Sequence, residues 1–277
     1  MYLIVGSNGQ LGRELSSRLP DAILTDVEEL DITDSRAVKS FVNKNKEIDA
    51  IINCAAYTAV DRAEDDVAMA NKINVGGPKN LAMTGIKLVH ISTDYVFDGT
   101  GHRPYQPEDK TNPLSIYGKT KFAGEKAVLK FSDCGIIIRT AWLYSPYGNN
   151  FVKTMQRLGA ERKSINVVAD QIGTPTYAGD LADAIVKILP NMKKSGVYHF
   201  TNAGVCSWYD FARKIMELSG LQCEVNPIPS SEYPTRASRP FYSVLDKTKI
   251  AKEFDVRVRH WEDALRECIG RMKTTTK

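Results

Sequence analysis

Tyr2-Leu-Ile-Val-Gly-Ser-Asn-Gly-Gln-Leu-Gly12 decides how the rest of the chain is read. Tyr2 to Val5 is apolar without alternation, which suits a strand buried on both faces. Gly6, Gly9 and Gly12 follow at G-x-x-G-x-x-G spacing, and Leu11, Leu15 and Leu19 then recur at helical intervals. Strand, glycine loop and helix in that order suit a phosphate cradle. Glycine permits the tight turn and lets backbone amides approach a pyrophosphate at a helix N-terminus. The first interval differs from the dinucleotide fingerprint G-x-G-x-x-G, and the string alone also suits a plain turn. Its place straight after the first strand points to a nucleotide.

Outward from this loop, apolar runs at Ala22–Leu24, Ala50–Asn53, Leu88–Ile91 and Ile136–Ile138 alternate with helical patterns. Asp34 is placed to cap a helix carrying Ala37, Val38, Phe41 and Val42. This order predicts an α/β fold with a Rossmann-type, doubly wound parallel sheet. The second half is less regular. Ile165–Ala169 and Val197–Phe200 read as strands, and Asp180 to Leu189 as a helix capped by Asp180. Ser207 and Asp210 have capping-box spacing, with Asp in place of the usual Glu or Gln. Pro227, Pro229, Pro234 and Pro240 mark an ordered loop. The polar tail Lys273–Lys277 is expected to fray. These readings give a dinucleotide-binding domain over residues 1–150, with a returning segment near 165–200. Residues 151–277 form mainly a smaller, partly intertwined α/β substrate-binding domain.

Length and composition bound the function. A chain of 277 residues holds one or two domains. Hydrophobic residues at 43% and charged residues at 25% are ordinary for a soluble protein and exclude disorder, collagen and coiled coil. A net charge of +4 is too small to imply nucleic acid. No apolar run approaches ~18 residues, and no secretory pattern precedes Gly6, so neither a membrane span nor a signal is expected. The five cysteines are scattered without a CxxC pair, and the four histidines lack ligand spacing. That pattern predicts reduced thiols and a cytoplasmic location.

Cofactor choice rests on two residues. Asp26 lies about 20 residues past the loop, where an acid holds a ribose 2′-hydroxyl and favours NAD. Arg13, just after the loop, offers a seat for a 2′-phosphate instead. NADP(H) and NAD(H) both stay open. Asp31 and Ile32 stand where the adenine is bordered, although Asp31 equally suits a turn cap.

Tyr117-Gly-Lys-Thr-Lys121 sets a phenol and an ammonium at i and i+4, on one helix face. A free tyrosine, with a pKa near ~10, is a poor proton donor or acceptor at neutral pH. A neighbouring cation is expected to lower that pKa toward working pH. Alone the pair is a weak signal. Thr93 closes the fourth strand, where ligands of doubly wound sheets sit, and its hydroxyl is placed to bind a substrate carbonyl beside Tyr117.

Taken together, these motifs resemble the extended short-chain dehydrogenase/reductase superfamily. Five blocks resemble one family within it, the dTDP-4-dehydrorhamnose reductases. They are Ala55–Glu64, Ser92–Gly99, Arg139–Phe151, Ala169–Thr176 and Gly196–Phe200. The resemblance runs from residue 1 to about 265 and implies site roles residue by residue. Thr93, Tyr117 and Lys121 match the catalytic trio. Gly6, Gly9, Gln10, Leu11 and Gly12 match the pyrophosphate loop, and Asp31 and Ile32 the adenine contacts. Ala55, Ala56 and Tyr57 match the loop by the nicotinamide half, where Tyr117 and Lys121 also meet the cofactor. Thr58, Val60, Thr93, Asp94, Tyr95, Tyr117 and Trp142 match positions around the deoxysugar. Arg239 is placed in the distal substrate domain.

The activity so implied is NAD(P)H-dependent reduction of dTDP-4-dehydro-L-rhamnose to dTDP-L-rhamnose for surface polysaccharide, with NADPH the preferred of the two cofactors. Some members form dimers with magnesium held by glutamates, and Glu14 fits the first such position; a homodimer and magnesium are therefore admitted, with the other ligands unmatched. Two rivals share the fold. A dehydratase or epimerase is disfavoured because Asp94 is followed by Tyr95, not by the Glu that elimination uses. A non-catalytic relative, the regulatory subunit of a methionine adenosyltransferase, is disfavoured by the intact Thr93, Tyr117 and Lys121.

Overall fold

The computed structural model describes residues 1–275. In its first part, strand β1 (Tyr2–Val5) leads to α1 (Gln10–Ser16), β2 (Ile23–Thr25), α2 (Ser35–Lys44) and β3 (Ala50–Asn53). Two short helices, α3 (Val60–Ala63) and α4 (Val67–Asn71), run through a π turn at Lys72–Gly76 into α5 (Gly77–Ala82). Then come β4 (Lys87–Thr93), α6 (Ile116–Phe131) and β5 (Gly135–Thr140). Asp34 caps α2 as its spacing predicts, accepting from the amides of Arg36 and Ala37.

The later elements are β6 (Leu143–Tyr144), α7 (Phe151–Glu161), β7 (Ser164–Val168), β8 (Ile172–Gly173), β9 (Thr176–Tyr177) and α8 (Ala178–Ile188). They continue with β10 (Gly196–His199), β11 (Cys206–Ser207), α9 (Trp208–Ser219), β12 (Glu224–Ile228), α10 (Thr248–Phe254) and α11 (Trp261–Thr275).

The main sheet is parallel throughout, in the order β2-β1-β3-β4-β5-β10. This is the doubly wound sheet that the apolar runs predict. Successive strand residues point to opposite faces, and both faces are covered. Ile4, Ile52, Val89 and Ile136 join Leu181 and Ile185 of α8 in one core. Leu3, Ile51, Leu88 and Ile137 join Val38 of α2, Leu81 of α5 and Val128 of α6 in another. Each such fully buried aliphatic side chain contributes about 1.5–3 kcal/mol. A third core lies outside the sheet, where Val152 of α7, Ile215 of α9 and Leu265 of α11 pack around the parallel pair β7–β12.

Some local expectations change. Tyr177 occupies the N-cap of α8, not Asp180. Asp180 lies in the first turn and is drawn away by Arg259 at 2.7 Å. Pro227 sits inside β12, opposite Val167, because an edge strand tolerates a missing donor. Lys273 to Thr275 continue α11, and the remainder of the expected frayed tail, 276–277, lies outside the described residues. Among the described residues, no helix is long and apolar enough to cross a membrane. The five cysteines are free.

The chain leaves β1 outward to β2, then returns to β3 on the other side of β1. That reversal opens a crevice beyond the carboxyl ends of β1 and β3, the place where such sheets bind ligands.

Candidate active site

The glycine loop fills the crevice floor. Gly6 adopts φ +74°, and a Cβ there would lie 2.7 Å from the Ala55 amide at the end of β3. A Cβ on Gly12 would lie 2.3 Å from the Gly6 carbonyl. Both positions thus demand glycine, one for its backbone angle and both for close approach. Gly9 caps α1 with no side-chain bond to the helix amides. Gln10 faces the other way as well: its Oε1 accepts from Ser145 and Asn150, at 3.1 and 3.0 Å, and ties the loop to residues 145–150.

Asp26 and Arg13, the two cofactor-selecting candidates, meet at Asn8. Asp26 Oδ2 accepts the Asn8 amide at 3.2 Å, and Arg13 Nε donates to the Asn8 carbonyl at 3.1 Å. The Asp31 carboxylate accepts from the Thr33 hydroxyl and amide, at 2.6 and 2.9 Å. Those two bonds hold its pKa below the usual carboxylate value.

From this loop a cavity of about 820 Å³ runs to Trp142 and Trp208. All five expected pyrophosphate residues line it, as do Asp31, Ile32, Ala55 and Ala56. So do Thr93, Tyr117 and Lys121, together with Thr58, Val60, Asp94, Tyr95 and Trp142. Two candidates do not line it. Tyr57 turns its hydroxyl to Asp66, at 3.3 Å, while Asn74 clasps its backbone at both the amide and the carbonyl. Arg239 grips both carboxylate oxygens of Asp61 on α3, at 3.0 and 2.7 Å.

Three elements assemble the chemical centre. Thr93 ends β4, while Tyr117 and Lys121 lie one turn apart on α6, which Ser115 caps. The Thr93 hydroxyl and the Tyr117 phenol both line the cavity at this point. Burial pushes the phenol up to about 12, opposed by the Thr93 hydroxyl. The expectation that Lys121 lowers the tyrosine is therefore not met here. Desolvation of the phenolate, with the Asp94 carboxylate nearby, raises the phenol, and Tyr117 holds its proton at neutral pH. Lys121 is itself buried, which brings its ammonium down to about 8. Its Nζ donates to the Ile91 carbonyl at 2.6 Å.

Asp94 receives the Thr93 hydroxyl at 3.0 Å. Burial pushes its carboxyl up to about 6, while the Ser243 and Thr93 hydroxyls pull the other way. Tyr95 meets Tyr117 edge to face, ring centroids 5.5 Å apart.

The far wall is aromatic. Trp142 has φ +49°, a left-handed backbone that bulky residues rarely adopt. Its indole stacks on Trp208, and the absence of a side chain at Gly173 makes room for it: a Cβ there would lie 2.7 Å from the ring. Trp208 is a site residue that the motif reading misses. A signal for it is nonetheless present, because the Ser207–Asp210 capping box forms as its spacing predicts and sets Trp208 at the first position of α9.

Magnesium at Glu14 is not supported. The carboxylate is fully buried, and Arg18 and Arg271 already occupy its oxygens at 2.7 and 2.8 Å. Guanidinium groups stand where a cation would bind. Among the described residues, no group of three His, Cys, Asp or Glu side chains is placed to hold a metal.

A doubly wound sheet, a glycine loop at its switch point and a Thr–Tyr–Lys group in one cavity define a Rossmann-type protein built like a short-chain reductase. Comparison narrows the class. The RmlD substrate binding domain family matches residues 1–274, and the chain belongs to that family. A dTDP-4-dehydrorhamnose reductase of Aggregatibacter actinomycetemcomitans is 44% identical over 95% of this chain and 96% of its own. The crystal structure of a dTDP-4-dehydrorhamnose reductase from Clostridium acetobutylicum superposes with a TM-score of 0.94 at 46% identity, covering 98% and 99% of the two chains. A Bacillus anthracis dTDP-4-dehydrorhamnose reductase, solved in complex with NADP, gives 0.94 at 41% identity over 98% of each chain.

Proposed function

We propose that this protein uses NADPH to reduce the C4 ketone of dTDP-4-dehydro-L-rhamnose, yielding dTDP-L-rhamnose for surface polysaccharide. One observation carries the reading: Thr93, Tyr117 and Lys121 open into the same cavity as the glycine loop. The names of the relatives and the NADP held by the Bacillus anthracis structure support substrate and cofactor. Residues 1–150, with the returning strand β10, hold the nucleotide cofactor, and the later residues close over the sugar. Asp26 and Arg13 are both tied to Asn8, so the choice of NADPH rests on the NADP-bound relative.

When bound, the reduced nicotinamide supplies a hydride to the ketone carbon. The chain's own residues do the rest. The phenol of Tyr117 is protonated at neutral pH and gives its proton to the developing alkoxide. Thr93 hydrogen-bonds the same oxygen where charge develops. Lys121 places a positive charge behind the tyrosine and beside the cofactor ribose. Trp142 and Val60 present an apolar wall to the methyl face of the deoxysugar.

The test is NADPH or NADH absorbance loss with purified protein and enzymatically prepared dTDP-4-dehydro-L-rhamnose, with product identified by mass and NMR. Stoichiometric loss of NADPH with formation of dTDP-L-rhamnose is expected. Nucleotide binding without turnover of this sugar would overturn the substrate assignment.

A further inference from the structure

Behind the catalytic lysine lies a buried ionic group that the reaction does not touch. Glu125 follows Lys121 by one helical turn on α6, and both side chains are buried. Its Oε1 accepts the Ser92 hydroxyl at 2.5 Å and Arg139 Nε at 2.9 Å; its Oε2 accepts Arg139 Nη2 at 2.7 Å. Arg139, on β5, is held in turn by the Pro107 carbonyl at 3.2 Å and lies over the Phe97 ring. Ser92 directly follows Ile91, whose carbonyl receives the Lys121 ammonium. One short stretch of β4 thus anchors the lysine through its backbone and the glutamate through the next side chain.

Such a pair is a poor device for stability alone, because two buried ions lose about as much hydration as their attraction returns. Its neighbourhood suggests another use. The titratable groups facing Lys121 are Cys54 at the end of β3, His90 on β4, and Tyr117 and Glu125 on α6. Burial pushes the Cys54 thiol and the Tyr117 phenol up to about 12 and holds His90 well below the usual histidine range. All three are neutral at pH 7. Glu125 is the one carboxylate among the described groups that face the ammonium, and its attraction opposes the desolvation that burial imposes on Lys121.

We propose that Glu125 is a positioning residue for the reaction: clamped by Arg139 and Ser92, its carboxylate keeps Lys121 charged in its buried place behind the tyrosine and the cofactor ribose. This rests on the reductase reading for its purpose, but its physical content is separable, because a charged Lys121 also governs the binding of an anionic nucleotide.

The experiment therefore measures NADPH affinity by nucleotide fluorescence from pH 6 to 10, without sugar, beside the pH profile of turnover. Wild-type binding weakens through an alkaline midpoint that Lys121→Met abolishes. In Glu125→Gln that midpoint falls by about one pH unit or more, the size of effect an opposite charge at close range exerts. Since Glu125→Gln leaves Arg139 unpaired in the core, Glu125→Gln/Arg139→Gln is measured too. It removes the unpaired Arg139 charge without restoring the carboxylate, and a downward displacement, smaller than in the single variant, is still expected. A purely structural glutamate predicts instead that the folded double variant recovers the wild-type midpoint, and that result overturns the proposal. A midpoint that persists in Lys121→Met overturns it as well, since the titrating charge is then not the lysine's. A displaced binding midpoint in a protein that fails to turn over the sugar sustains the role of Glu125 and rejects the substrate assignment instead.

Discussion

The indole of Trp142 lies nearly flat on that of Trp208, ring centroids 3.7 Å apart and planes 14° from parallel. Phe151 packs on the outer ring at 4.6 Å. A tryptophan in left-handed backbone conformation, between β5 and β6, is thus held in place by the first residue of α9, and the two together form the end wall of the cavity. Replacing Trp208 with leucine removes the stacking surface while keeping an apolar side chain. Sugar-nucleotide KM is expected to rise about tenfold, matching the ~0.5–1.5 kcal/mol of an aromatic pair, with NADPH affinity unchanged. The near-ultraviolet circular dichroism of the stacked indoles should collapse in the same variant. An unchanged KM would remove Trp208 from the site.

Tyr117→Phe keeps the ring that packs against Tyr95 and removes the proton. NADPH binding should persist, while turnover falls by ~10²–10³, the usual cost of one lost donor at a developing oxyanion. Stopped-flow absorbance with calorimetric nucleotide binding separates the two quantities. Turnover within a few fold of wild type would reassign the proton donor.

Asp94 gives a pH signature in stability. Its carboxyl titrates at about 6 in the fold, against an ordinary value of 3.8, chiefly because burial penalises the charged form. The unfolded chain thus releases this proton first. Folding is favoured most below about 4, and that contribution is lost as pH rises to about 6. Asparagine cannot ionise. The stability difference between Asp94→Asn and wild type should therefore grow in the variant's favour from pH 4 to 7 and then level off, at up to about 3 kcal/mol. Scanning calorimetry across that range checks it, and a flat difference rejects a buried, titrating Asp94.

Gly12→Ala tests the cradle. The new methyl carbon would lie 2.3 Å from the Gly6 carbonyl and 2.6 Å from Ser7 Cα, both backbone atoms that cannot swing aside. The start of α1 must move, so NADPH affinity should fall more than tenfold while circular dichroism stays that of the folded protein. Isothermal titration calorimetry measures this directly, and wild-type affinity would show that the loop is not where the pyrophosphate rests.

Much of the fold was legible in local patterns. Non-alternating apolar runs separated by helical spacing specify strands covered on both faces, and the position of Gly6 to Gly12 between the first strand and helix marks the switch point. The catalytic helix was legible because Tyr117 and Lys121 lie one turn apart. Caps such as Asp34 and the Ser207–Asp210 box were legible for the same reason, since they form over three residues of chain.

What the tertiary structure decided involves residues far apart in sequence or the balance of burial against charge. The Arg239–Asp61 clasp, the Glu14–Arg271 pair that occupies the expected magnesium position, and the Trp142–Trp208 stack each join segments that only the folded chain brings together. The protonation of Tyr117 belongs here too. Spacing told of a cation one turn away, but desolvation and the neighbouring Asp94 set the phenol's protonation, and burial is a property of the whole packed cavity rather than of any stretch of sequence.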